Sequence, residues 1–468
     1  MGRPQQSEHS TAAPPHAGAV PIYGAALADD LPVVLEGLRE RFGPIAPVEA
    51  APGVMAWVLL GYDLNKEVLQ DPVRFPRDPR RWREAREHRA TPAGVPGPFW
   101  YFRNALASDE PDHSRYRAVI VAALEAISSS GTRLAVREIT AKLLADATPS
   151  GRCDLVADIA FRLPLMLLNR YFGLNADQGN ELVSLMRQVW DGGEDAEAAR
   201  MGLFAYAQAV TSQRRAHPGP DIVSRMVAHP HGLDDEEVAH QLILIISAAH
   251  DPLMNLIANT LHTLLTDTAF RSAVVGARTR IEEAVDAVLW RRPPITLLPG
   301  RYPAADMSLA GARVREGDCL IIGYGPANSD PVAAPRPSTA GLSGSQAHLS
   351  FGTGPHQCPA RHLARQIGID AVEAVLELLP PPRLAVGEDA LVWRRSPFAH
   401  GLETLPVEFE PTSSPARPTP ASATGAPSCP HAPSRSSSSP AAPPSKHATS
   451  RPRGRWSAWW STGWRSGR

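Results

Sequence analysis

His348-Leu-Ser-Phe351-Gly352-Thr-Gly354-Pro-His356-Gln-Cys358-Pro-Ala360-Arg361-His-Leu-Ala-Arg365 is the stretch on which the reading of this chain turns. Two glycines precede a lone cysteine, and an amphipathic helix pattern follows it. A loop of this kind holds a sulfur at a helix N-terminus, where backbone N–H groups point at it. Such donors stabilise a thiolate and tune the electron density it gives to a metal. Gly352 and Gly354 permit backbone conformations and close approaches that a Cβ would block. Phe351 is placed to shield a metal–sulfur bond. The other reading of the same residue is a buried structural cysteine without chemistry.

The rest of the chain narrows the choice. Its 468 residues are 43% apolar, enough for a large core, which excludes a wholly disordered protein. Charged residues make up 20% and the net charge is −1, so no global field points to nucleic acid or acidic lipid. Cys153, Cys319, Cys358 and Cys429 form no CxxC pair. That excludes a disulfide scaffold and a zinc ribbon and favours a reducing compartment. No apolar run approaches the ~20 residues of a membrane span, and the N-terminus lacks a signal core. The expectation is a cytoplasmic globular protein with no transmembrane segment.

Charge and composition divide the chain. Residues 411–468 hold eight of the 47 basic residues and none of the 48 acidic ones, in a Pro/Ser/Ala-rich background. Such a composition cannot order itself by burial. The predicted organisation is a disordered segment over 1–18, one domain over 19–410 and a disordered basic tail over 411–468. The tail ends in Trp456, Trp459, Trp460 and Trp464 among arginines, a pattern suited to an anionic membrane or a partner, or simply an unselected extension.

Within the domain, helical patterns dominate. Asp154 to Gly173 is strongly apolar and predicts a buried segment. Asp234 and Glu237 predict a capping box opening a helix of over thirty residues to about Thr266, apolar nearly all round at its centre and interrupted by Pro252. Val54–Leu60 predicts a strand, and Arg313–Ile322 predicts a hairpin. The fold class is therefore mainly α with a small β portion.

The cysteine stretch resembles the haem-binding signature of the cytochrome P450 family, F-G-x-G-x-H-x-C-x-[GA], at Phe351, Gly352, Gly354, His356, Cys358 and Ala360. The resemblance implies a single haem domain of that fold, covering roughly residues 20 to 410. It implies haem b as cofactor, with Cys358 as the proximal thiolate ligand to iron. Leu38–Pro44 and Asp71–Phe75 look like the family's N-terminal elements. Asp109–Arg117 looks like its helix carrying H-x-x-x-R, with His113 and Arg117 one turn apart on one face. Arg301 matches its strand arginine, and His348 the usual His before the Phe-Gly pair. The resemblance gives these four cations to the haem propionates, by charge-assisted hydrogen bonds.

Two departures from the family stand out. Ala248-Ala249-His250-Asp251-Pro252-Leu253 occupies the place of A-G-x-[DE]-T-[TS]. The acid is kept as Asp251, whose burial in an apolar helix implies a partner or a task, and by resemblance the task is proton relay in dioxygen activation. Pro252 replaces the hydroxyl residue, and Ser247, one turn before Asp251, is a partial substitute. Asp251, His250 and Pro252 are thus the candidate catalytic positions. The second departure is the loss of E-x-x-R: its positions read Ala287 and Trp290 in Asp286-Ala-Val-Leu-Trp290, and Glu36 with Arg39 is a decoy. Trp290 is expected to pack on Pro293 and Pro294, an apolar swap for an ionic network. The meander at Pro331–Ala340 lacks the family's acidic and aromatic residues.

The resemblance implies a haem-thiolate monooxygenase that inserts one oxygen atom from O2 into a small organic substrate, with electrons from a ferredoxin and its reductase. Arg115, Arg361 and Arg365 are the expected docking cations for an acidic carrier. The alternatives are a peroxide-using variant or a catalytically impaired haem protein acting as a regulatory scaffold. The loss of E-x-x-R resembles a subgroup often encoded beside a small-GTPase signalling cassette, which adds such proteins as partners.

Overall fold

Asp234 opens the longest helix among the described residues, Asp235–Thr266. Its carboxylate accepts from the Glu237 N–H at 2.7 Å, and the Glu237 carboxylate accepts from the Asp234 N–H at 3.1 Å, completing the predicted capping box. Glu237 is also a buried anchor for Arg115, for the Tyr116 hydroxyl at 2.9 Å and for Arg103 at 2.9 Å. Burial works to raise its carboxyl, but Arg115, the Asp234 N–H and Tyr116 outweigh it and hold it at about 2. Arg115 is therefore tied to Glu237 and is not the free docking cation that the sequence suggested.

The computed structural model describes residues 16–23, 31–88, 99–191, 195–276, 279–333, 345–394 and 396–411. The predicted N-terminal segment before residue 16, most of the degraded meander and the Trp/Arg tail lie outside the described residues. In chain order the helices are α1 Leu31–Phe42, α2 Tyr62–Gln70, α3 Arg83–Arg86, α4 Asp112–Leu124, α5 Ser129–Ala147, α6 Arg162–Tyr171 and α7 Ala176–Asp191. They continue with α8 Ala196–Ala216, α9 Ile222–Ala228, α10 Asp235–Thr266, α11 Thr268–Val275, α12 Ile281–Arg291, α13 Tyr324–Asn328 and α14 Arg361–Leu378. The apolar segment after Asp154 is one π-helical stretch, Leu155–Ala160, running into α6, both largely buried as predicted.

The β portion is small. The strands are β1 Val20–Pro21, β2 Ile45–Ala51, β3 Val54–Leu59, β4 Arg152–Asp154, β5 Leu297–Arg301, β6 Met307–Leu309, β7 Ala312–Val314, β8 Leu320–Gly323, β9 Arg383–Leu384 and β10 Pro406–Glu408. The main sheet runs β1-β2-β3-β8-β5. β3 forms where the sequence predicts it. The predicted hairpin over Arg313–Ile322 is corrected: β7 turns back onto β6, while β8 runs parallel to β3 and antiparallel to β5. Its Leu320–Ile322 run is buried on both faces, so the long-range pairing wins over the local one.

α10 is packed by α6, α8, α12 and α14 and passes unbroken through Pro252. By length and hydropathy alone it would cross a bilayer, but it carries Glu237, His250 and Asp251 and is mostly buried within the domain, as a core helix is. Its middle is different: Ser247 and Ala248 are exposed although Ile246 and His250 beside them are buried. The centre of the helix thus borders an open space.

Candidate functional site

The loop between α13 and α14 folds back on itself through its backbone. The Gly352 N–H donates to Leu349 O at 2.7 Å, the Gln357 N–H to Gly354 O at 3.0 Å and the Cys358 N–H to Phe351 O at 2.9 Å. Gly352 and Gly354 adopt φ of +66° and +73°. At Gly354 a Cβ would collide with the Leu69 carbonyl oxygen at the end of α2, so only glycine lets the loop lie there. These turns leave Cys358 half-buried, three residues before α14 begins. Burial pushes its thiol up, while the Ala360 N–H and the Arg117 and Arg361 charges pull it down. The donors therefore favour the thiolate wherever a cation compensates the desolvation.

Beside the cysteine lies a crowd of cations. Arg117 on α4 donates to Gln357 O at 2.7 Å. His113, one turn earlier, lies against His356 with ring centroids 4.1 Å apart and the rings tilted by 40°. Its Nδ1 meets Glu110 at 3.1 Å, and its buried Nε2 has no partner. Arg301, at the end of β5 and 1% exposed, donates from Nη1 to Phe75 O at 3.1 Å and leaves its Nε without a partner. Arg77 is held behind it by Leu106 O, Pro299 O and Gly300 O. Burial and the neighbouring Arg77 charge push Arg301 down to about 10. Burial, with Arg301, His113, Arg77 and Arg117 around it, drives His356 far below the ordinary imidazole range. Asp109, the acid nearest to Arg77, is engaged by the Arg77 and Asp78 N–H groups and by Arg81. The cluster is thus electrostatically suited to an anion.

His348 is placed elsewhere. Its buried ring meets Trp290 edge-on at 5.8 Å and lies 5.8 Å from Phe351, with Asp286 and Arg365 as its charged neighbours. The Trp290 Nε1–H donates to Ser345 O at 2.7 Å. The ionic tie survives one residue before the E-x-x-R register. Asp286 is 1% exposed and receives Arg365 of α14 on both oxygens, at 2.6 and 2.8 Å. Arg365 is consequently not a free docking cation either, whereas Arg361 is exposed and has no acidic partner among the described residues. Ser350 Oγ–H completes the brace by donating to Leu289 O at 2.6 Å.

On the other side, α10 presents Ser247, Ala248 and Asp251 along one face. Asp251 is not the buried acid that the sequence implied. Its side chain is 33% exposed and is paired to Arg394 at 2.8 Å. Asn255 donates to its second oxygen at 3.3 Å. His250, expected beside it as a catalytic group, is committed to packing: it is buried, with Nε2 3.1 Å from Phe161 O and its ring edge-on to Phe161 at 4.7 Å. Pro252 continues the helix, half-buried.

No family model matches the chain. Curated relatives do. It is 29% identical to the cytochrome P450 monooxygenase PikC of Streptomyces venezuelae, over 87% of this chain and 97% of that one. It is 30% identical to 2-hydroxy-5-methyl-1-naphthoate 7-hydroxylase of Streptomyces carzinostaticus, over 80% of this chain and 93% of that one. Among solved structures, CYP154A1 from Streptomyces coelicolor A3(2) superposes with a TM-score of 0.72 at 26% identity, covering 84% of this chain and all of that one. The chain is a cytochrome P450. It is a monooxygenase of that family, which implies a haem.

The residues of this P450 fit that group. Cys358 offers one sulfur, and among the described residues no cluster of three metal-ligating side chains competes for the iron. The partnerless His113 Nε2 and Arg301 Nε lie in a cationic cluster suited to carboxylates. Of the expected propionate contacts, His113, Arg117 and Arg301 are brought together, beside His356 of the cysteine loop, and His348 is set apart against Trp290. Arg77, Arg394 and the Asp286–Arg365 pair were missed by the sequence reading, and no local pattern marks them.

Burial also holds His250 and His348 at about 4. These rings bind fewer protons folded than unfolded, so stability is greatest above about 6.5 and is lost as pH falls from there toward 4. Urea midpoints should fall continuously across that window, and less steeply in His250→Gln.

Proposed function

We propose that this P450 holds haem b through Cys358 and inserts one oxygen atom from O2 into a small organic substrate, with electrons from a ferredoxin and its reductase. The observation that carries this is the cysteine loop: a half-buried sulfur capped by the Ala360 N–H, beside a cationic cluster. When bound, haem supplies the iron at which dioxygen is activated. The protein's part is to hold and to protonate. Arg301, His113 and Arg117 would meet the propionates with Arg77 behind them, Phe351 and the glycine turns would shield the sulfur, and Arg361 remains as a docking cation. Asp251 would hold the proton on the distal side. With Pro252 in place of a hydroxyl, the bridging O–H comes from Ser247, a water or the substrate itself.

One relative named above is a 2-hydroxy-5-methyl-1-naphthoate 7-hydroxylase, which supports a secondary metabolite as the substrate class. The Asp286–Trp290 run supports the subgroup without E-x-x-R, working in the cytoplasm, and hence small-GTPase signalling proteins as partners. A second reading is favoured by the two departures at Pro252 and Trp290: a peroxide-using enzyme, or a haem-bearing scaffold.

A screen of natural-product ligands for spin-state shifts in the haem spectrum of purified holoprotein separates these. Shifts followed by product with a ferredoxin system are expected. Turnover with hydrogen peroxide alone favours the peroxide reading. Retained haem with no shift from any ligand class favours the scaffold.

A further inference from the structure

Asp251 is held by a residue 143 positions away. Arg394 donates to Asp251 Oδ1 at 2.8 Å, and the other side of its guanidinium lies 3.6 Å from the centroid of the Trp190 ring. Trp190 is the penultimate residue of α7, wedged between Phe161 at 5.8 Å and His250 at 6.4 Å. One planar cation thus joins the acid of α10 to the end of α7, by a charge-assisted hydrogen bond on its edge and a cation–π contact on its face.

Arg394 is anchored through its backbone. Its N–H donates to Gly401 O at 2.9 Å, the Glu403 N–H donates to Val392 O at 2.9 Å, and Trp393 bridges to Leu402. Residues 392–394 therefore pair back onto 401–403 in a return. Trp393 pins it on one side by stacking on His400 at 4.3 Å and meeting His262 of α10 edge-on at 5.4 Å. Asn259 of α10 donates to His400 O at 2.9 Å. Gly401 lies flush on α10, where a Cβ would run into Asn255 Oδ1. The return is fixed to α10, whereas α7 packs mainly on α8 and α6.

We propose that Arg394 is the positioning residue for Asp251 and that Trp190 is the latch that keeps it in place, coupling the end of α7 to the acid on the open face of α10. With the latch closed, the carboxylate is held by Arg394 and Asn255. Movement of α7 away from the return, as on passage of a ligand into the open space, removes the stacking partner and frees Arg394 to release Asp251. This rests in part on the reading of Asp251 as the proton relay, and the test has one arm that does not.

In that arm, hydrogen exchange of residues 183–191 is measured in holoprotein. Losing one cation–π contact should speed exchange roughly fivefold in Trp190→Leu and in Arg394→Met, with little change in Asp251→Asn, where Asn still accepts from Arg394. In the second arm, dithionite-reduced holoprotein is reoxidised by air in H2O and in D2O. Asp251→Asn and Arg394→Met should shift the solvent isotope ratio in the same direction, and the double variant should go no further than Asp251→Asn alone. Unchanged exchange in both Trp190→Leu and Arg394→Met overturns the latch. A wild-type isotope ratio in Arg394→Met beside a shifted one in Asp251→Asn overturns the positioning role. If Asp251→Asn itself keeps the wild-type ratio, the relay reading falls, and the exchange arm still decides the latch.

Discussion

Cys358→Ser is expected to abolish the red-shifted thiolate-type band of reduced, carbon monoxide-treated holoprotein and to remove monooxygenase turnover altogether. A serine hydroxyl stays protonated at neutral pH and gives iron little electron density, whereas the cysteine thiolate is the donor that favours O–O cleavage. The fold should barely notice. Cys358 is half-buried, and the turns that place it are backbone bonds from Gly352, Gln357 and Cys358 that a serine preserves. A conservative change at such a position costs on the order of 1 kcal/mol in urea unfolding. The contrast between an intact fold and a lost band is the signature. A variant that kept the red-shifted band would remove Cys358 from the metal, and wild-type protein that stayed colourless after haem reconstitution would remove the haem.

The second large effect is expected at the brace beneath the loop. Arg365→Met leaves the Asp286 carboxylate 2% exposed and without its cation. Breaking a buried pair from one side costs about 3–5 kcal/mol, because a charge is left uncompensated. α12 and α14 meet through this pair, and α14 starts immediately after the cysteine loop, so haem retention should suffer before global unfolding. The double change Asp286→Leu with Arg365→Met should regain most of the loss, since apolar replacement of a whole buried pair is often neutral. Haem occupancy of the purified variants and their urea midpoints measure both. Equal haem content in wild type and Arg365→Met would show that the pair does not support the loop.

What the sequence made legible was local or motif-borne. The Asp234–Glu237 cap, the course of α10, strand β3 and the cysteine loop each follow from residues within a few positions of one another. What it hid was long-range. Nothing near Asp251 marks Arg394 as its partner, and nothing in Asp286-Ala-Val-Leu-Trp290 marks Arg365, 79 residues on. The same limit explains why Arg115 and Arg365 read as free cations: composition counts charges but does not say which are already paired. β8 was assigned to its sequence neighbour because a hairpin is the cheapest closure, yet burial of Leu320–Ile322 between β3 and β5 decided its place.

Pro252 has one more effect. A proline carries no N–H, so the carbonyl of Ala248, four residues back, loses the donor that an α-helix would give it. That carbonyl sits on the exposed turn of α10, beside Ser247 and a turn from the acid. Where the family pattern A-G-x-[DE]-T-[TS] has a hydroxyl residue, this P450 has a main-chain carbonyl deprived of its i+4 donor. A guest bearing its own hydroxyl would satisfy it and bring a mobile proton to the same spot, so alcohols and phenols should be held in preference to hydrocarbons of the same shape.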